Sequence, residues 1–253
     1  MDDTAPVNPD DQTARIDRRD LLTGVGLLAA ASLGGSAQIA RANPLPDTPL
    51  QAGAAHVAVP VRDEALLTLT ANEAAFLAAA VDRLIPTDDL SPSASQAGVV
   101  VFIDRQLAGA WGSGARLYRS GPFVKGKPEQ GYQLPLTPRE FFGAGIAAAD
   151  HWVRATHDAP LDRLTPAQRD AVLSDLEAGR AELGTVPARA FFDAMLAITV
   201  EGFFADPIYG GNRDKAGWKV LGYPGLPATY ANAVRNHKGT VYAPAPRSIE
   251  DFL

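Results

Sequence analysis

The sequence predicts a mainly α protein: an irregular helical domain of about five helices, with long Gly/Pro/aromatic loops and extended N- and C-terminal arms. Three observations carry this expectation. A helix-start signature, Thr followed three residues on by Glu or Gln, occurs at Thr70, Thr137 and Thr165. Behind each start, apolar residues recur at helical spacing. Alternation with period two, the mark of a half-buried strand, is scarce. The composition permits such a domain, because 46% hydrophobic and 21% charged residues in a chain of 253 are ordinary proportions for a sizeable core.

Residues 1–16 are polar and acidic and offer nothing to a core. Arg18-Arg19 then precede Leu21-Leu22, and a run without a charge continues to Ala40, diluted by Gly24, Gly26, Gly34 and Gly35. Ala40-Arg41-Ala42 is an A-x-A cleavage motif. A basic pair, a weakly apolar run and a small-residue cleavage site together read as a secretory signal, and adjacent arginines point to the Tat route. The signal is expected over residues 1–42, with Arg18, Arg19, Leu21, Leu22, Ala40 and Ala42 as its working residues. A transmembrane helix is the rival reading, since about twenty apolar residues span a bilayer; the glycines and the cleavage motif count against it. Gly24-Val25-Gly26-Leu27-Leu28-Ala29 fits the dinucleotide fingerprint by letter, but no strand precedes it, so that reading is rejected. Residues 43–65, with Pro44, Pro46, Pro49 and Pro60, read as a linker or an arm laid along a surface.

The helical body is expected over residues 66–226. Its first helix opens at Thr70, carries Phe76, Leu77, Ala80, Val81, Leu84 and Ile85 as one stripe, and stops at Pro86, which lacks the amide the next turn needs. The second is expected from about Ser95 to Trp111. It places Val99, Phe102, Ile103, Leu107 and Trp111 on one side and Asp104 and Arg105 on the other. Thr137-Pro138 starts the third, with Phe142, Ile146, Ala149 and Val153; Thr165-Pro166 starts the fourth, with Val172, Leu173 and Leu176. A fifth is expected from Pro187 to Phe204, carrying Phe191, Phe192, Met195, Leu196, Ile198 and Phe203. Two connections, residues 112–136 and the segment after Phe204, are too long for ordinary helix links and are rich in Gly, Pro and aromatics. Both readings of them stay open: loops packed on their own domain, or docking surfaces anchored by Tyr, Trp and Arg. Residues 227–253 are the C-terminal arm.

Cysteine is absent, which excludes disulfides, thiolate zinc sites, iron–sulfur clusters and covalently attached c-type haem in this chain. Of the four histidines (His56, His151, His157 and His237), His151 and His157 fall about 240° apart on a helix and cannot share a face. A net charge of -6 argues against nucleic acid as a partner. Asp82, Asp88, Asp89, Asp104 and Glu201 are the carboxylates nearest the apolar stripes, and they are expected at helix termini, in turns and on solvated faces. No G-x-S-x-G, H-E-x-x-H or phosphate-loop motif occurs. Gly210-Gly211-Asn212 reads as a turn with residues at positive φ. By its own residues the chain looks like a non-enzyme, without catalytic, cofactor-binding or metal-binding residues.

One segment points further. Glu201-Gly202-Phe203-Phe204-Ala205-Asp206-Pro207, then Tyr209-Gly210-Gly211-Asn212-Arg213-Asp214, Gly217-Trp218-Lys219 and Gly222-Tyr223-Pro224-Gly225, resembles the signature of gluconate 2-dehydrogenase subunit 3. These are the small, or gamma, subunits of periplasmic FAD-dependent sugar and sugar-acid dehydrogenases. Leu84-Ile85-Pro86-Thr87-Asp88, and Ala97-Gly98-Val99 leading to Phe102-Ile103-Asp104, extend the likeness over roughly residues 66–226. The resemblance implies a division of labour. A glucose–methanol–choline type catalytic subunit holds the FAD and performs the oxidation, and a cytochrome c subunit with haem c, where present, passes electrons on. The small subunit has no cofactor of its own. It carries the Tat signal to the Tat translocase and escorts, matures and stabilises its partner. The location implied is the periplasm, with any membrane association made through the complex. Tyr209, Gly210, Gly211, Asn212, Arg213, Trp218 and Tyr223 are the expected partner-binding residues. A permanent interface is on the order of 2,000 Å² or more, which arms such as residues 43–63 and the stretch from Tyr230 would help to supply. Two other readings are an independent periplasmic oxidoreductase and a sugar-binding module.

Overall fold

A computed structural model describes residues 65–253, with 125, 128, 129 and 228 excepted. The expected signal peptide and nearly all of the 43–65 arm lie outside the described residues. Among the described residues seven helices follow in order: α1 (Ala71–Leu84), α2 (Val99–Ala108), α3 (Pro138–His157), α4 (Pro166–Glu177), α5 (Ala188–Phe204), α6 (Ala216–Leu221) and α7 (Ala231–Asn236). Short 3-10 turns punctuate the connections, and no strand occurs among the described residues.

The three capping boxes start α1, α3 and α4. Each threonine hydroxyl accepts from the amide three residues on, and the Glu73, Glu140 and Gln168 side chains accept in return from the threonine amides. Pro138 and Pro166 occupy first-turn positions where no amide donor is needed. The apolar stripes then bury themselves together. α5 turns most of its circumference inward and packs against α1, α2, α3 and α4, leaving Arg189, Asp193 and Glu201 as a narrow exposed stripe. Phe141 and Phe142 of α3 meet Phe191 of α5 with ring centroids 6.1–6.4 Å apart. Gly145 makes room for this crossing, because a Cβ there would come within 2.6 Å of Cε2 of Phe191. Arg83 and Asp170 fork across α1 and α4 at 2.7 and 2.8 Å, an exposed pair worth at most about 1 kcal/mol.

The second helix departs from expectation. It starts at Val99 instead of near Ser95, because Gly98 sits in the left-handed region (φ 86) and Ser95 is drawn into a turn by Asp82. It ends at Ala108, so Trp111 falls beyond the helix, 46% exposed, with its ring tilted against Phe142 at 6.3 Å. Asp104, expected opposite the apolar stripe, is buried. Its carboxylate accepts from the amides of Leu67 (2.6 Å), Thr68 (2.9 Å) and Leu69 (2.8 Å). It thereby pins the chain that enters α1.

Candidate partner-docking site

The segment after α5 is built in layers on that helix. Ala205 leaves it in an extended conformation, and Asp206 caps a 3-10 turn over Pro207–Tyr209, accepting from the Ile208 amide at 3.1 Å. The chain then crosses the α2–α5 contact by means of glycines. Gly210 turns at φ 97, and a Cβ on it would come within 2.7 Å of the Arg105 guanidinium. A Cβ on Gly211 would strike the Gly202 carbonyl, while one on Gly202 would come within 2.7 Å of the Phe102 ring. The amide of Arg213 donates to the Ala97 carbonyl at 2.9 Å, tying the loop to the start of α2.

Asn212 closes the loop from inside. It is fully buried at φ 47, its Nδ2 donates to the Ala205 carbonyl at 2.7 Å, and its Oδ1 accepts from the Gly217 amide at 2.8 Å. Both ends of the connection between α5 and α6 are therefore joined through one side chain. Asp214 and Lys215 adopt left-handed conformations (φ 54 and 57) before α6 begins. Trp218 is 6% exposed and its indole N–H donates to the Phe204 carbonyl at 2.8 Å. The Tyr223 ring meets it edge-on at 5.2 Å.

The C-terminal arm returns to this loop. Leu226 donates to the Arg247 carbonyl at 2.7 Å and Arg247 donates to the Pro224 carbonyl at 3.0 Å, a single parallel bridge. The Tyr230 hydroxyl donates to the Gly225 carbonyl. The second oxygen of Asp206 accepts from the Ile249 amide at 3.0 Å. Asp251 takes the Lys215 ammonium at 2.8 Å and the Ser248 amide at 2.6 Å; first Lys215 and then Ser248 hold its carboxyl below the usual range. The Arg247 guanidinium lies 4.2 Å over the Phe252 ring.

Of the seven residues expected at the partner contact, Gly210, Gly211, Asn212 and Trp218 are buried and shape the loop. Tyr209 (52% exposed) and Tyr223 (43%) face solvent, Arg213 is half-buried, and Leu221 adds a further exposed apolar side chain. Arg213 also borders a shallow depression of about 170 Å³ with Leu90, Pro92, Asp214 and Lys219. Several residues that build the loop were not singled out as site residues: Gly98, Gly202, Asp206, Lys215 and Asp251. A glycine late in an apolar helical run is a legible signal of close approach, and Gly202 fits it; nothing local marks Asp206 or Asp251.

Of the five carboxylates nearest the apolar stripes, Asp82, Asp88 and Asp104 are occupied structurally. Asp82 accepts from the Ser95 amide and hydroxyl at 2.8 and 2.7 Å, and Asp88 from the amides of Leu90 and Ser91 at 2.9 and 3.0 Å. Partial desolvation of the Glu201 carboxyl raises its pKa. His151 is exposed and His157 half-buried, both on α3. Among the described residues no group of three or more His, Asp or Glu side chains is placed to hold a metal ion.

The protein family described as Gluconate 2-dehydrogenase subunit 3 matches this chain over residues 71–225, from the first residue of α1 to the glycine that meets the C-terminal arm. No curated protein and no solved structure matches it.

Proposed function

This chain belongs to the gluconate 2-dehydrogenase subunit 3 family, which makes it a subunit of a dehydrogenase complex, and we propose that it acts there as the non-catalytic small (gamma) subunit. In this reading it carries the Tat signal of residues 1–42. It takes a folded, FAD-loaded catalytic subunit of the glucose–methanol–choline type to the periplasm and stabilises it there. A cytochrome c subunit, where the complex has one, receives the electrons. The observation that supports the reading is the build of residues 201–225. Asn212, Trp218 and the glycines fix a loop that projects Tyr209, Tyr223 and Arg213, the residue types that anchor stable interfaces. A preformed loop loses little conformational entropy on docking, so more of its contact energy appears as affinity.

Co-expression with the flavoprotein tests this. The double change Arg18→Lys and Arg19→Lys should strand both subunits in the cytoplasm; a flavoprotein that still reaches the periplasm overturns the escort role. Tyr209→Ala with Tyr223→Ala should cut recovery of the partner on affinity capture. Anchors of this kind cost about 2 kcal/mol or more each, over tenfold in affinity. Oxidation of a sugar by the purified chain alone, with an artificial acceptor, would show an enzyme instead.

A further inference from the structure

The connection between α2 and α3 is held at both ends and exposed in between. At one end the Arg139 guanidinium donates to the last carbonyls of α2, at Leu107 (2.8 Å) and Ala108 (2.9 Å), and its amide donates to the Gly112 carbonyl at 3.0 Å. At the other, the Tyr132 ring stacks on Phe141 at 3.9 Å and its hydroxyl donates to the Leu136 carbonyl at 3.2 Å. Between these anchors Tyr118 is 76% and Val124 67% exposed, and Trp111, Leu117 and Phe123 are exposed with them. Arg116, Arg119 and Lys127 are exposed on the same stretch. From Arg105 to Lys127 the sequence contains no acid, in a chain whose net charge is -6. Glu140, in the capping box of α3, faces Arg119; its carboxyl is held low chiefly by the Thr137 amide.

We propose that this loop is a second contact surface and that its occupant is the anionic headgroup layer of a lipid bilayer. The charge is complementary there: between Asp104 and Glu129 an acidic chain presents an acid-free, basic stretch, as it does again over residues 215–249. Trp, Tyr and Phe favour the interfacial zone, where an apolar ring and a polar edge are both satisfied. Apolar insertion and attraction of Arg and Lys to anionic lipid add together. The wet interface also hydrogen-bonds an irregular, Gly-containing backbone and asks for no complementary shape. No helix among the described residues is long and apolar enough to cross a membrane, and the contact proposed for the loop is a peripheral one. The loop leaves the C-terminal end of α2, whereas the signature loop sits on its start at Ala97 and Gly98, about 15 Å away along a ten-residue helix.

The test uses the full chain and vesicles of phosphatidylcholine alone or mixed in equal parts with phosphatidylglycerol. Sedimentation should show binding to the mixed vesicles that salt weakens. Arg116→Gln with Arg119→Gln should lower it roughly thirtyfold, as about 1 kcal/mol for each cation predicts. The N-terminal apolar run is common to both proteins, so the ratio reports the loop. Brominated lipid should quench fluorescence that disappears in Trp111→Phe. Equal binding by the glutamine variant, or quenching unchanged in Trp111→Phe, overturns the proposal. So does a glutamine variant that keeps its vesicle affinity and loses the catalytic subunit, since the loop is then a protein interface.

Discussion

Asp104 and Asn212 do the same work at two ends of the domain: each uses one polar side chain to hold backbone from segments that no regular ladder joins. Asp104 reaches amides as far as thirty-seven residues away and leaves them donors without partners if it is truncated. Asp104→Ala should therefore destabilise by about 3 kcal/mol, with Asp104→Asn costing less because one carbonyl oxygen remains. Urea unfolding followed by circular dichroism measures both. Asn212→Ala unpairs the Ala205 carbonyl and the Gly217 amide and should cost about 2 kcal/mol or more. It should also lower recovery of the catalytic subunit, because Tyr209 and Tyr223 hang on the loop that Asn212 closes. Tyr209→Ala should lower partner capture and leave the melting temperature of the free chain unchanged, whereas Tyr223→Ala also loses its contact with Trp218. Helical spacing placed Asp104 opposite the apolar stripe. It could not show that the chain before α1 crosses that side, because a helical wheel describes direction and carries nothing about the neighbour.

At the scale of elements, the starts of helices are the most local features and were the most legible. A capping box is complete within four residues, so Thr70, Thr137 and Thr165 marked α1, α3 and α4 directly. Thr165→Ala should cost about 1 kcal/mol, and adding Thr70→Ala should be nearly additive because the caps belong to separate helices. The start of α2 was less legible, since it depends on Asp82 of another element gripping Ser95. The C-terminal arm has its own prediction. The Asp251 carboxyl is held below its ordinary value, so its bonds to Lys215 and Ser248 persist above the usual carboxylate range and are lost as pH falls through the lowered value. Acidification should lower the hydrogen-exchange protection factor of the Ser248 amide, which donates to Asp251, before those of the core amides fall, and Asp251→Asn should produce the same local loosening at neutral pH.

At the scale of the whole described body, four long helices pack around α5, while the connections carry exposed aromatic and basic side chains. Phe191→Ala, at the centre of the aromatic cluster, should cost about 3–5 kcal/mol and loosen the body as one cooperative unit; a single unfolding transition at lower denaturant is the expected result. The amino-acid sequence by itself determined the helical class, the starts of the capped helices, the apolar stripes and the family. Those are set by caps, spacing and motif within a few residues of each other. Only the tertiary structure decided which signature residues are buried and which are exposed, and that Asp104 is buried. It also decided that the C-terminal arm lies on the signature loop. Each of these depends on segments far apart in the chain meeting at a glycine, an amide or a carboxylate, and local spacing holds no record of such meetings.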